Sequence, residues 1–272
     1  MDDCFPRNTK IPKQSPLFWV THKDRYLRQQ LIRDIQDTTE RDLVVYFTDT
    51  DRANMQIDGG DDKYLVELLE PCKRAGVDLL LETPGGYTDA TEKLCSVLRS
   101  LAPDLRVIVP RRAKSNGTVI ALTGREIVMS SSSELGPIDP FWNGVPTEFL
   151  LNAAPGAVDA ITIQAAMTAR QQTRKLATQL LEGGMMKDRH AEIPALIEKL
   201  ATRQHYHSHG SVIDVDEAIA LGLVVKPLAL DDDLWRRIWL LRCMYAYDAG
   251  IYGYGKMFEG EVISSAVAAP KA

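Results

Sequence analysis

The chain has 272 residues, 45% hydrophobic and 25% charged, with 14 prolines and no low-complexity run, which is the make-up of a soluble globular protein with one main α/β core. Its formal charge of −5 gives no global basic field to condense on a phosphate backbone, so nucleic acid is not an expected partner. The four cysteines, Cys4, Cys72, Cys95 and Cys243, are scattered without CxxC spacing; they read as buried or idle thiols, and neither a metal nor another cofactor is required.

The N-terminus, Met1-Asp2-Asp3, lacks a basic region followed by an apolar run, so the expectation is a cytoplasmic protein. Residues 1–40 are polar and mixed and end in a predicted helix from His22 to Asp37 with charge on every face, which reads as an N-terminal arm or cap. The regular pattern starts at Leu43-Val44-Val45-Tyr46-Phe47, a continuous apolar run that predicts a buried strand. After an Asp/Gly-rich loop, Leu65, Leu68, Leu69 and Cys72 form the stripe of an amphipathic helix over 62–75, stopped by Gly76.

Leu79-Leu80-Leu81 is the next strand, Ala90 to Leu101 a helix, and Arg106 to Val109 a third strand. This alternation predicts right-handed βαβ crossovers and a mostly parallel sheet. Gly117 to Leu122 is a short helix and Glu126 to Met129 a fourth strand, followed by helices over 159–183, 191–203 and 214–221 and a small strand at Leu223 to Val225. The division is an arm at 1–40, a catalytic α/β domain at 41–228, and a C-terminal docking helix and tail at 229–272. The segment 234–254 is rich in Trp, Tyr and Leu, but its longest greasy run is broken by Arg236, Arg237 and Arg242 and is too short to span a membrane.

Two junctions carry chemistry, because each sets glycine or a small polar residue directly after a buried strand, where open α/β sheets bind ligands. In Glu82-Thr83-Pro84-Gly85-Gly86, Pro84 fixes the exit and the two glycines let bare N–H groups face a ligand, which makes Pro84 and Gly85 candidate substrate-binding positions. In Ala113-Lys114-Ser115-Asn116-Gly117, Ser115 stands at a helix start beside orphan N–H groups. Taken alone, such a serine is ordinarily a cap and a PGG is ordinarily a turn. Occurring together at successive strand exits, they can bring two backbone donors to one carbonyl.

The segments ETPGG (82–86), AKSNGTVIAL (113–122), ELGPIDP (134–140) and SHGSVIDVDEAIALGL (208–223) occur in the order and rough spacing of the serine dehydrogenase proteinase family. That family is similar to signal peptide peptidase A and to the Clp proteolytic subunit, within the Clp-protease/crotonase superfold. The resemblance spans about residues 43–226. It implies Ser115 as nucleophile and the N–H groups of Gly86 and Asn116 as oxyanion-hole donors. The chain departs from the pattern at Asn116, where small or apolar residues are usual; the backbone donor survives that change.

A serine needs a neighbour to take its proton. Where Clp-type enzymes carry the histidine, this chain has Asp139; where their aspartate lies, it has His209. The preferred arrangement is therefore Ser115, His209 and Asp139, with the two partner positions exchanged. A serine–lysine dyad using Lys114, Lys175 or Lys187 stays open. Three functions compete: a serine peptidase acting on peptide or protein substrates, a crotonase-like acyl-CoA enzyme that would not need Ser115, and an inactive assembly subunit of the same fold. The resemblance implies a homo-oligomer. With no GxxxxGK[ST] motif, any ATP-driven unfolding belongs to a separate partner.

Overall fold

The computed structural model describes residues 14–270; Cys4 and the first part of the expected arm lie outside them. In chain order the elements are α1 (Pro16–Thr21), α2 (Lys23–Thr39), β1 (Asp42–Thr48), α3 (Asp62–Leu69), β2 (Val77–Glu82), α4 (Thr88–Leu101), β3 (Leu105–Ile108), β4 (Arg112–Ala113), α5 (Asn116–Ala121) and β5 (Glu126–Met129). There follow β6 (Glu134–Leu135), β7 (Phe141–Trp142), β8 (Val145–Pro146), α6 (Thr147–Leu151), α7 (Ala160–Gly183), α8 (Ile193–Ala201), α9 (Val215–Ala220), β9 (Val225–Pro227), α10 (Asp233–Tyr252), β10 (Tyr254–Glu259) and β11 (Ser264–Ala268).

The main sheet runs β11-β10-β1-β2-β3-β5-β9. From β1 to β9 all neighbours are parallel, while β10 and β11 join antiparallel at one edge. β1 shows why its sequence reads as an unbroken apolar run. Leu43, Val45 and Phe47 point to one face and pack with α2 and α10, whereas Val44 and Tyr46 point to the other and pack with α3 and α4. With both faces covered, the period of two leaves no polar position.

The α3 helix stops at Leu69, earlier than its stripe suggests: Glu70 still holds right-handed helical angles and bonds the Val66 carbonyl, but Pro71 has no N–H to continue the ladder. Two expectations change more. Helix α2 buries Leu31, Ile32 and Ile35 against the sheet, and three of its polar residues, Arg28, Gln29 and Gln36, are buried with partners. Arg28 pairs with Asp248 and with Glu259, whose Oε2 lies 2.6 Å from the arginine Nε, and Gln36 accepts from the Leu43 N–H at 2.9 Å. Helix α10 likewise directs Trp235, Ile238, Leu241 and Tyr245 into this protein's own core, leaving Tyr247, Ile251 and Tyr252 exposed. Burial pushes the Cys72 and Cys95 thiols up to about 12, so both are inert neutral groups.

Candidate active site

A second, much smaller ladder crosses the carboxyl edge of the main sheet. Ile57 bridges Gly86, Thr83 bridges Ala113, β4 pairs with β6, and Leu135 bridges Ile213. It joins Ile57 to the four segments singled out in the sequence, so residues up to about a hundred positions apart become neighbours along one rim.

The first rung orients the glycine pair. The Ile57 N–H donates to the Gly85 carbonyl at 2.8 Å, and the Tyr87 N–H donates to the Ile57 carbonyl at 3.0 Å. In a parallel bridge of this kind the N–H and C=O of the bridging residue itself, Gly86, point away from Ile57. A β-carbon on Gly86 would meet the Ile57 carbonyl oxygen at 2.3 Å, so only glycine fits the approach. Gly85 adopts φ +100°, and its β-carbon would meet that of Ser115 at 2.8 Å. Gly85 therefore lies beneath Ser115. Neither it nor Pro84 lines the cavity, in contrast to the substrate-facing role expected of both.

Behind Ile57, the buried Lys256 ammonium holds Asp58 at 2.7 Å and Asp61 at 2.8 Å. Burial holds the Asp61 carboxyl above the ordinary carboxylate range although Lys256 and the Tyr46 hydroxyl both bond to it. This cluster anchors the strand segment against which the glycine pair is registered.

The second rung carries Ser115, which starts α5 with φ 54° and ψ −122°, a conformation that costs a non-glycine residue about 1–3 kcal/mol. Its hydroxyl does not cap the helix, which removes the ordinary reason for a serine there. Two further contacts join this turn to the third rung. The buried Thr118 hydroxyl lies 2.8 Å from the carbonyls of Ala113 and Gly136 and accepts from the Gly136 N–H at 3.0 Å. Lys114 reaches the carbonyls of Leu135 (3.1 Å) and Ser211 (2.9 Å) and the Glu134 carboxylate (3.1 Å). Burial lowers its pKa, while Glu134 acts to raise it. All three of its donors are directed at acceptors other than Ser115. Lys175 and Lys187 are exposed and do not line the cavity.

The fourth rung, Leu135 with Ile213, draws Asp139 and His209 together. His209 Nδ1 lies 2.5 Å from Asp139 Oδ1. A carboxylate can only accept, so Nδ1 carries a proton, and in the neutral imidazole the Nε2 lone pair is then the one left to accept. The other Asp139 oxygen accepts from Arg203 Nε at 3.0 Å, the aspartate being buried and the imidazole partly exposed. Phe141 and the imidazole pack edge to face with ring centroids 4.6 Å apart, and the Arg203 guanidinium lies over Phe141 and Phe149.

Gly86, Ser115, Asn116, Asp139 and His209 all line one cavity of about 310 Å³. Ser115 Oγ and His209 are not hydrogen-bonded to each other, and among the described residues no backbone hydrogen bond engages the Gly86 or Asn116 N–H. The arrangement thus presents an uncommitted hydroxyl, an oriented imidazole and two free backbone donors in one space. Of the rest of the lining, Ile138 and Pro140 belong to the ELGPIDP segment, whereas Thr88, Phe141 and Thr173 were not singled out in the sequence, nor was Arg203. Phe141 directly follows the GPIDP segment and was within reach of that motif. Thr173 sits mid-helix in α7 and carries no local signal.

Residues 55–246 match the family described as ClpP-like SDH-type serine proteinase. An uncharacterized protein of Methanocaldococcus jannaschii is 34% identical over 159 residues, covering 55% of this chain and 53% of that protein. A second uncharacterized protein of the same organism is 36% identical over 77 residues, covering 28% of this chain and 26% of its own length. The chain therefore spans about half the length of the first of these relatives. Among the described residues, no helix is long and apolar enough to cross a membrane.

Proposed function

The chain belongs to the ClpP-like SDH-type serine proteinase family, and from that premise we propose that it hydrolyses peptide bonds through an acyl-enzyme on Ser115. His209 Nε2 takes the hydroxyl proton as Ser115 Oγ attacks the scissile carbonyl carbon. The carbonyl π electrons move onto oxygen, and the N–H groups of Gly86 and Asn116 receive the developing charge. As the intermediate collapses, the imidazolium returns its proton to the leaving amine. Water, deprotonated by the same imidazole, then attacks the acyl carbon, and the imidazolium returns that proton to Ser115 Oγ as the ester bond breaks and the acid product leaves. Asp139 fixes the tautomer and steadies the imidazolium, and Arg203 holds the second carboxylate oxygen so that the first stays on His209.

The observation that carries this reading is the 2.5 Å contact between Asp139 and His209 on the wall of the cavity that also contains Ser115. It favours histidine over lysine as the base, since Lys114 is turned to the carbonyls of Leu135 and Ser211. A fluorophosphonate probe followed by peptide mapping tests it. The expected result is a covalent adduct on Ser115 that is absent from Ser115→Ala. A folded native chain that remains unlabelled would remove the hydrolase reading and leave the crotonase-like and scaffold alternatives.

A further inference from the structure

Asn116 directly follows Ser115, and its side chain is buried at the cavity wall, not extended into solvent. Its Nδ2 donates to the Gly86 carbonyl at 2.6 Å and lies 3.3 Å from the Thr88 hydroxyl. That carbonyl belongs to the peptide unit just after the one whose N–H is the free Gly86 donor. Ile57 restrains one side of the segment through the Gly85 carbonyl and the Tyr87 N–H. Each of the two peptide units flanking Gly86 is thereby held by one hydrogen bond on its Ile57 side, and the Asn116 amide adds one on the opposite side, which limits how far these units can tilt and carry the Gly86 N–H with them.

We infer that the Asn116 side chain is a positioning residue that locks the oxyanion hole by clamping the Gly86 carbonyl. One residue thereby sets both donors: its backbone N–H is one of them, and its side chain fixes the orientation and spacing of the other. Donors held in place before reaction need no reorganisation as charge develops, so the clamp acts on the transition state and not on ground-state binding. A small residue at 116 would keep the backbone donor and lose the clamp.

The inference rests on the Ser115 hydrolase reading, and the test separates the two. Native chain, Asn116→Ala and Asn116→Asp are compared for steady-state hydrolysis of a peptide ester, for inhibition by a peptide aldehyde, and for thermal midpoint. The aldehyde adds to Ser115 Oγ, and its former carbonyl oxygen then occupies the hole. Asn116→Ala should lower kcat by about tenfold and weaken aldehyde inhibition by a similar factor, with KM changed less than about twofold. Asn116→Asp keeps the shape, cannot donate when ionised and faces a carbonyl, so its loss should approach about 10²-fold, the scale of one lost donor. Unchanged kcat and aldehyde inhibition in both variants, with the native chain active, would overturn the clamp alone. A fall in activity that only tracks the folded fraction would also overturn it, showing a structural side chain. A native chain that never acylates would overturn the hydrolase reading and the clamp with it.

Discussion

The main sheet and the rim ladder across its carboxyl edge are held by different forces. β1 and β2 pair from Asp42↔Val77 to Phe47↔Glu82 and are covered on both faces by apolar side chains. The rim pairings are one or two residues long and depend on polar contacts at fixed points: Thr118 to Gly136, Lys114 to Leu135 and Ser211, Lys256 behind Ile57. Apolar burial is non-directional and tolerates small shifts, whereas a hydrogen-bonded anchor fixes orientation. The sheet therefore supplies stability and the rim supplies geometry, which is why strain is found at Ser115 on the rim.

The largest effect should come from Ser115→Gly, which ought to abolish hydrolysis and fluorophosphonate labelling while raising stability. Glycine relieves the positive φ, and after the entropy cost of the extra freedom a net gain of about 1 kcal/mol is expected. Chemical denaturation reads it; a loss of stability would mean that the Ser115 turn is not strained. Next, His209→Gln should lower kcat by about 10³–10⁴-fold with the melting midpoint nearly unchanged, and Asp139→Asn should approach that loss, because its amide can hold His209 in the wrong tautomer. Near-normal turnover in His209→Gln would return attention to the lysines.

Gly86→Ala should be smaller, about 10²-fold in kcat, since the added β-carbon collides with Ile57 and displaces the donor. If KM alone rises, Gly86 acts as a turn and not as part of the hole. The smallest effect on chemistry belongs to the main sheet. Leu80→Ala, at a fully buried position, should cost about 2–5 kcal/mol of stability and leave kcat per folded molecule unchanged. Loss of turnover in the folded fraction would show that sheet packing also tunes the rim.

The same contrast explains what could be read beforehand. The strands at Leu43, Leu79, Val107 and Ile127 and the helices after them are carried by local periodicity, and apart from the early end of α3 they form close to their expected bounds. β10 and β11 escaped notice. Tyr254–Glu259 contains Lys256 and Glu259, which look like surface residues until Lys256 meets Asp58 and Asp61 and Glu259 meets Arg28. α2 likewise shows charge on every face in the sequence, yet its Arg28, Gln29 and Gln36 are buried beside distant partners.

By itself the sequence determined the parallel α/β core, because alternating and helical apolar periods each allow a single way to bury a face. It also determined the chemistry on offer at the strand exits, since glycine and serine are needed where backbone must approach a reacting group. Only the tertiary structure decided that Asp139 and His209 meet at 2.5 Å, that Lys114 turns to carbonyls beside them, and that Asn116 grips Gly86. Those choices join positions tens of residues apart through single directional hydrogen bonds, which leave no periodic trace in the chain and exist only once the sheet has brought its loops to one edge.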